Sequence, residues 1–204
     1  MKEIDRVLDY SFKTIERDSK LNTALSRIKE SDSDLYQHSL NVARYSIMIG
    51  LSYKFDLDRL INLGVGCIMH DVGKAVLNPD ILNKPDRLSE DEKVFVESHP
   101  SIGYRLVKGA LVSSQIKNIV RQHHEKINSL GYPDALGGDK LSIDVQIATI
   151  ADIFDALTSK RSYRDPATVE EAFNILYEDK GLNRVVVEIF EGILKKNNIT
   201  GIIA

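Results

Sequence analysis

The 204 residues are enough to bury a hydrophobic core as one large or two small domains, and 43% hydrophobic with 28% charged residues is ordinary for a soluble globular protein. The net charge of −3 excludes a basic field that could hold a long track of DNA or RNA backbone. A small anion could still bind through local metal ions and arginines.

The single cysteine, Cys67, excludes an intramolecular disulfide and is typical of a reducing compartment. It lies in an apolar run, where we expect a buried and inert thiol. No apolar run approaches the roughly 18 residues of a membrane span. The N-terminal residues alternate charged with apolar side chains, unlike a signal peptide. The predicted location is therefore the cytoplasm, without a membrane contact.

The N-terminal part of the chain predicts helix, because apolar residues recur with helical spacing over residues 4–28. This segment is either the first helix of the domain or a lead-in from a partner surface. Residues 31–34 form a break that supplies N-cap groups. We therefore divide the chain into an N-terminal helical segment, residues 1–30, and a main domain, residues 31–204.

Helical spacing continues through the main domain, and no useful stretch alternates with a period of two. A helix that opens at Ser89 is ended or bent at His99-Pro100. Other helices are predicted over residues 36–53, 58–69, 101–107, 113–124, 145–157, 168–177 and 184–195. Residues 128–140 contain clustered glycines and predict one long irregular loop, and residues 161–165 predict a polar loop. The predicted fold class is all-α.

The histidines lie at helix ends and junctions, where side chains from different helices can converge. Imidazole and carboxylate groups are ligands for divalent metals of the zinc, manganese and iron type. The His70-Asp71 pair alone could equally cap two helices. Five histidines in such places, with His-Asp and His-His doublets, favour a polynuclear metal site over separate structural roles. These histidines are His38, His70, His99, His123 and His124.

Asp152 lies within an apolar helix, where an unpaired carboxylate would be costly to bury. Metal ligation satisfies that need, and an internal ion pair with arginine or lysine is the alternative. His123 and His124 point about 100° apart on a regular helix, so they cannot readily chelate one ion from such a helix but can serve two neighbouring ions. Two ions about 3.5–4 Å apart can clamp both oxygens of an in-line phosphoryl displacement.

Three basic residues follow the predicted ligands and could contact phosphate. Lys74 follows His70 by four positions and could neutralise a phosphate oxygen or simply be solvated. Arg161 and Arg164 follow the helix of Asp152, and the planar guanidinium fork suits phosphate. An ordinary surface loop is the alternative for both arginines.

The order of these residues strongly resembles the HD-GYP domain, a branch of the HD metal-dependent phosphohydrolases, from about residue 31 to 190. The resemblance implies an all-helical, HD-domain-like bundle, here with an additional N-terminal helix. It implies hydrolysis of the bacterial second messenger cyclic di-GMP, first to pGpG and often on to GMP, with two or three metal ions that are usually iron or manganese. The matching residues are His38, His70-Asp71, Lys74, His99-Pro100, His123-His124-Glu125, Gly131-Tyr132-Pro133 and Asp152.

The resemblance also implies roles for individual residues. Asp71 and Lys74 are the residues expected to act in catalysis, with turnover abolished without Asp71 and slowed without Lys74. Lys74, Arg161 and Arg164 would contact the phosphate groups. Gly131, Tyr132 and Pro133 would border the substrate or a partner domain. The implied metal ligands are His38, His70, Asp71, His99, His123, His124 and Asp152.

Two departures from the family pattern bear on function. Asn128-Ser129 stands where the family commonly has Asp-Gly, which leaves substrate choice and partner docking open. Asp34 stands where three-metal members carry Glu; it is either a further ligand beside His38 or the N-cap of that helix. We expect two ions and leave a third open.

Three alternatives remain at this point. The substrate could be another cyclic dinucleotide or a linear nucleotide. The domain could instead be a binding module that keeps its metals and signals without turnover. A homodimer or a diguanylate cyclase-type partner domain could dock on it.

Overall fold

The structure is a computed structural model that describes residues 1–84, 86–160 and 165–197, with the side chain of Ser31 excepted. Within these ranges the regular elements are all helical, which confirms the all-α prediction. Short 3₁₀ turns occupy Val72–Val76 and Gly138–Lys140. The helices are α1 (Lys2–Arg17), α2 (Ser19–Ser31), α3 (Ser33–Ser52), α4 (Leu57–Met69), α5 (Pro79–Leu82), α6 (Glu90–Glu97), α7 (His99–Val107), α8 (Ser114–Gln122), α9 (Ile143–Thr158), α10 (Val169–Glu178) and α11 (Arg184–Lys196).

The N-terminal segment forms two helices, where the sequence predicted one. Asp18 adopts an extended backbone conformation, and its side chain accepts hydrogen bonds from the backbone N–H groups of Lys20 and Leu21. It thereby ends α1 and caps α2. Both helices contribute to the hydrophobic core through residues such as Ile15 and Ile28, each fully buried. The domain boundary at residue 30 stays a prediction.

Helix α3 occupies a central position because it packs against both α4 and α9. Helix α9 buries residues on nearly all of its faces, and α10 and α11 cover it. Tyr45 of α3 packs edge-on against Phe154 of α9 and Phe190 of α11, with ring centroids 5.2 and 5.4 Å apart. These contacts fix the three helices against one another, so polar residues at their ends keep a defined geometry.

The helix ends agree with the sequence prediction where they matter for the site. Helix α4 stops at Met69 with His70 as its C-cap, and α8 stops at Gln122 with His123 as its C-cap. Helix α7 begins at His99, with Pro100 in its first turn, where the missing N–H has no helical partner to lose. Among the helices described, none combines the length and apolar character that crossing a membrane would require.

Candidate metal centre

The seven predicted principal ligands converge into the interior from several helices, five of them at helix ends or junctions and two, His38 and Asp152, from within α3 and α9. They form two groups, and within each group the ligand atoms lie within 4.8 Å of one another. All seven residues are buried apart from His124, which is half-buried. The first group consists of Asp71, His99, His123 and His124, and the second consists of His38, His70 and Asp152.

Asp71 connects the two groups because its carboxylate oxygens face different histidines. Its Oδ1 atom lies 3.1 Å from Nε2 of His99 and 3.7 Å from Nε2 of His123. Its Oδ2 atom lies 3.4 Å from Nε2 of His70 and 3.8 Å from Nε2 of His38. A single carboxylate in this position can therefore serve both groups.

Asp152 is the second carboxylate of the centre. Its Oδ1 atom lies 3.1 Å from Nε2 of His38 and 3.8 Å from Nε2 of His70. Its Oδ2 atom lies 3.9 Å from Nδ1 of His124. Asp152 thus faces imidazoles, and within the described ranges no arginine or lysine forms an ion pair with it.

Four of the histidines are held by a hydrogen bond at Nδ1, which leaves Nε2 directed at the centre. His70 Nδ1 lies 2.7 Å from the carbonyl oxygen of Cys67, and His99 Nδ1 lies 2.7 Å from that of Val96. His123 Nδ1 lies 3.1 Å from the carbonyl oxygen of Val120. A carbonyl only accepts hydrogen bonds, so each Nδ1 carries the proton and each Nε2 presents a lone pair.

His38 is held in the same way by a carboxylate that the sequence reasoning missed. Its Nδ1 atom lies 2.6 Å from Oδ2 of Asp155, which is fully buried. Ser159 donates a hydrogen bond to the other carboxylate oxygen of Asp155 at 3.0 Å. Asp155 follows Asp152 by three positions on an apolar helix, so a second buried carboxylate on the same face was the available signal.

The residues present fit a divalent metal ion. Among the described residues, His70 Nε2 and Asp71 Oδ1 are buried without a hydrogen-bond partner, which is costly for polar atoms. The Nε2 atoms of His99 and His123 lie 3.1 Å apart, and two neutral acceptors at that distance repel. Cations held between these lone pairs and carboxylates would remove both costs, and the mixed imidazole and carboxylate donors suit iron, manganese or zinc.

The electrostatics of the site favour ligand-competent protonation states. Burial lowers the pKa of His123 to about 4, and the neighbouring imidazoles of His70 and His99 act in the same direction. Burial and the His123 imidazole likewise lower the pKa of His124. Burial alone would raise the pKa of Asp71, but Lys74 and the surrounding histidines hold it well below the usual range.

The pKa of His38 shifts in the opposite direction to those of His123 and His124. Burial would lower its pKa, but the carboxylates of Asp152 and Asp155 outweigh that effect and raise the pKa to about 9. The same contacts lower the pKa of Asp152, against its own burial. The carboxylates of Asp71 and Asp152 are therefore ionised. Their negative charge stabilises the positively charged form of the His38 imidazole.

The structure bears on two further expectations from the sequence. His123 and His124 each offer a ligand atom to the first group, because the chain leaves the helix at His123 and the angular spacing of a regular helix no longer applies; which ion each would serve stays a prediction. Asp34 is exposed in the first turn of α3 and belongs to neither group. Nor is it the N-cap, since Asp32 accepts the hydrogen bond from the N–H of Leu35.

The structure describes some of the residues that were predicted to contact phosphate or to border the substrate, and leaves others outside the described ranges. Lys74 Nζ lies 2.6 Å from Asp71 Oδ2, and 24% of its side chain is exposed, so the ammonium group borders both the centre and solvent. The Tyr132 ring stacks on the His124 ring, with centroids 4.8 Å apart and planes 26° apart. Arg161 and Arg164 lie outside the described residues, and their roles stay predictions.

An all-helical domain with histidines and aspartates converging in its interior is a structure compatible with divalent metal binding. The chain belongs to the HD domain family: the family model described as "HD domain" matches residues 19–185. The match starts within α2, so the family pattern includes part of the N-terminal segment.

Two curated relatives are cyclic dinucleotide phosphodiesterases. A cyclic di-GMP phosphodiesterase of Pseudomonas aeruginosa is 34% identical over 161 residues, which cover 78% of this chain and 38% of the relative. The 3'3'-cGAMP-specific phosphodiesterase 2 of Vibrio cholerae is 33% identical over 162 residues, which cover 78% of this chain and 30% of the relative. The chain thus spans about a third of the length of these relatives.

A solved structure supports the fold independently. An HDG"Y"P protein from Bdellovibrio bacteriovorus superposes with a TM-score of 0.68 and 21% sequence identity, covering 94% of this chain and 62% of that chain. At this identity the likeness shows the fold alone. The predicted HD-domain-like bundle is therefore confirmed.

Proposed function

We propose that this protein is a metal-dependent phosphodiesterase that hydrolyses the phosphodiester bonds of cyclic di-GMP to pGpG and onward to GMP. The observation that carries the proposal is the carboxylate of Asp71, whose two oxygens face separate groups of histidines. A site with two such groups suits a pair of neighbouring cations. The cyclic di-GMP phosphodiesterase among the relatives supports the choice of substrate.

We assign two divalent ions to the centre, iron or manganese, held by the two groups of ligands. Bound ions of this kind act as Lewis acids on a phosphoryl group and lower the pKa of water. The chain itself supplies the orientation: the Nδ1 hydrogen bonds fix the histidines, and Asp71 and Asp152 link the two groups. The ligand set is a proposal, and Asp34 is not part of it because it lies apart from both groups.

Lys74 is the residue placed to neutralise a phosphate oxygen beside the centre. Its ammonium group contacts Asp71 and reaches solvent, so a phosphate that approaches from that side meets a positive charge next to the ligands. Arg161 and Arg164 retain their predicted phosphate contacts on the strength of sequence alone. The loop Gly131-Tyr132-Pro133 borders the approach through Tyr132, which stacks on His124.

The cellular setting and the partners of the protein are inferred from its sequence. The single cysteine favours a reducing compartment such as the cytoplasm. A second copy of the chain or a diguanylate cyclase-type domain remains a proposed partner, on the basis of the family resemblance alone.

Hydrolysis of another cyclic dinucleotide is the second candidate. The 3'3'-cGAMP-specific relative is 33% identical to this chain and the cyclic di-GMP relative is 34% identical, and each alignment covers 78% of the chain. The loop sequence Asn128-Ser129-Leu130 departs from the family pattern. This departure supports a different substrate among the cyclic dinucleotides, and it also supports a binding module without catalysis.

The test is hydrolysis by the purified chain, prepared anaerobically and loaded with iron(II) or manganese. Cyclic di-GMP, 3'3'-cGAMP and cyclic di-AMP are supplied separately, and linear products are quantified by chromatography. We expect fastest release of pGpG from cyclic di-GMP and none with Asp71→Ala. Faster cleavage of 3'3'-cGAMP would favour the second candidate, and tight binding of dinucleotide without cleavage would favour a binding module.

A further inference from the structure

His124 differs from the other four histidines in how its ring is held. The other four each direct Nδ1 to an acceptor. Within the described part of the chain no hydrogen bond holds the His124 ring, and 24% of its side chain is exposed. Its Nδ1 atom faces Asp152 Oδ2 at 3.9 Å, beyond hydrogen-bond distance, and its ring packs on Tyr132 in a stack with 4.8 Å between centroids. The orientation of His124 therefore depends on the loop that carries Tyr132.

This loop folds back closely on the chain around His124. The backbone N–H of Tyr132 donates to the carbonyl oxygen of His124 at 3.2 Å. Gly131 lies against the backbone of His124, Glu125 and Lys126, where a Cβ atom would overlap with main-chain atoms. Only glycine permits this approach, which brings the Tyr132 ring over the imidazole.

A buried carboxylate holds the far side of the same loop. Glu125 is 1% exposed, and its Oε1 accepts a hydrogen bond from the N–H of Asp134 at 2.6 Å. Its Oε2 accepts another from the N–H of Leu136 at 2.9 Å. Ala135 between them has a φ of 49°, in the left-handed region, which turns both N–H groups toward one anion.

We propose that Glu125 is a positioning residue for His124. Its two charge-assisted hydrogen bonds hold residues 131–136 against the end of α8, and the Tyr132 ring then holds the imidazole toward Asp71 and His99. This pair of contacts replaces the Nδ1 hydrogen bond that orients each of the other histidines. The inference rests on the proposed function in one respect, namely that His124 is a metal ligand.

The test compares Glu125→Gln with Asp139→Asn, which removes the same charge from an exposed position on the same loop. In Glu125→Gln an NH₂ group replaces one acceptor oxygen and opposes a backbone N–H. Manganese binding is measured by calorimetry, and cobalt(II) binding by visible absorption, both without nucleotide. We expect the affinity of at least one ion to fall about 10–100-fold in Glu125→Gln, the usual size for an outer residue that orients a ligand, and Asp139→Asn to match the wild type.

A second pair of variants covers the case in which Glu125→Gln does not fold. Tyr132→Phe keeps the ring and should retain wild-type affinity, whereas Tyr132→Leu loses the stack and should weaken metal binding. Folded Glu125→Gln with wild-type affinity, or Tyr132→Leu with wild-type affinity, would overturn the positioning role. Wild-type protein that binds metal without cleaving any dinucleotide would overturn the proposed function and leave this inference standing.

Discussion

The Nδ1 atom of His38 lies 2.6 Å from Oδ2 of Asp155, although 117 positions separate the two residues. Both side chains are buried, at 6% and 0% exposure. The contact directs Nε2 of His38 at Asp152, 3.1 Å away. A carboxylate that fixes a ligating histidine in this way commonly raises metal affinity through orientation and basicity.

Asp155→Ala should therefore weaken metal binding about 10–100-fold, because the His38 imidazole loses the acceptor that orients it. Asp155→Asn keeps a carbonyl acceptor for His38 and should therefore lose less metal affinity than Asp155→Ala. Ser159→Ala serves as the matched control, since Ser159 donates to the other oxygen of Asp155 and should change affinity little. Calorimetric titration with manganese measures all three, and equal affinities of Asp155→Ala and the wild type would exclude this role.

The sequence predicted most of the centre because five of its ligands lie at helix ends or junctions, which periodicity and capping residues locate, and because Asp152 is a carboxylate within an apolar helix. It missed Asp155, since the pairing with His38 joins α3 to α9 and only tertiary packing brings them together. It could not place the His123 and His124 side chains relative to each other, because the direction of each depends on how the chain leaves α8.

In the fold, too, the sequence predicted features that depend on local residues and missed features that depend on distant contacts. The amphipathic pattern located α10 and α11 within a residue or two, and in the structure Thr168 caps α10 with a capping box. The break at Asp18 was missed because apolar residues keep their helical spacing on both sides of it. The Leu111 N–H donates to Asp18 at 2.9 Å, a contact from the α7–α8 connection that no local pattern encodes.

Asp71→Ala should reduce turnover to the level of the metal-free protein and weaken binding of both ions. The reason is that Asp71 is the carboxylate that faces both histidine groups. Helix content by circular dichroism should stay close to that of the wild type, since Asp71 lies between α4 and the following 3₁₀ turn. Wild-type turnover by a folded Asp71→Ala would refute a mechanism in which the Asp71 carboxylate serves both groups of ligands.

Lys74→Ala should lower the rate more than it lowers metal occupancy. The ammonium group lies beside Asp71 and reaches solvent, so it can offset charge on an incoming phosphate without being a ligand. Loss of one such electrostatic contact commonly costs about 10²–10³ in kcat. Lys84→Ala, which removes a lysine paired with Glu92, is the control. Steady-state kinetics with elemental analysis of the same samples separates the effects, and a parallel loss of metal and rate would contradict this role.

Gly73→Ala should destabilise the protein and disturb the centre together. A Cβ atom on Gly73 would overlap with the carbonyl group of His99 and approach the backbone N of Gly103 at 2.8 Å, so α7 would have to move. Because α7 begins at His99, the movement would separate this histidine from Asp71. Overpacking of this kind costs about 1–3 kcal/mol in free energy of unfolding, measurable by denaturant titration.

Gly192→Ala provides the matched control for that substitution. Gly192 is exposed in α11, and an added Cβ meets no atom within 4 Å. Alanine has the higher helix propensity, so this variant should gain up to about 1 kcal/mol in free energy of unfolding with unchanged metal affinity. Opposite signs of the change in free energy of unfolding would show that close backbone approach at Gly73, and not the loss of a glycine as such, destabilises Gly73→Ala. Equal stability of the two variants would mean that the contact between α7 and the 3₁₀ turn adjusts without cost.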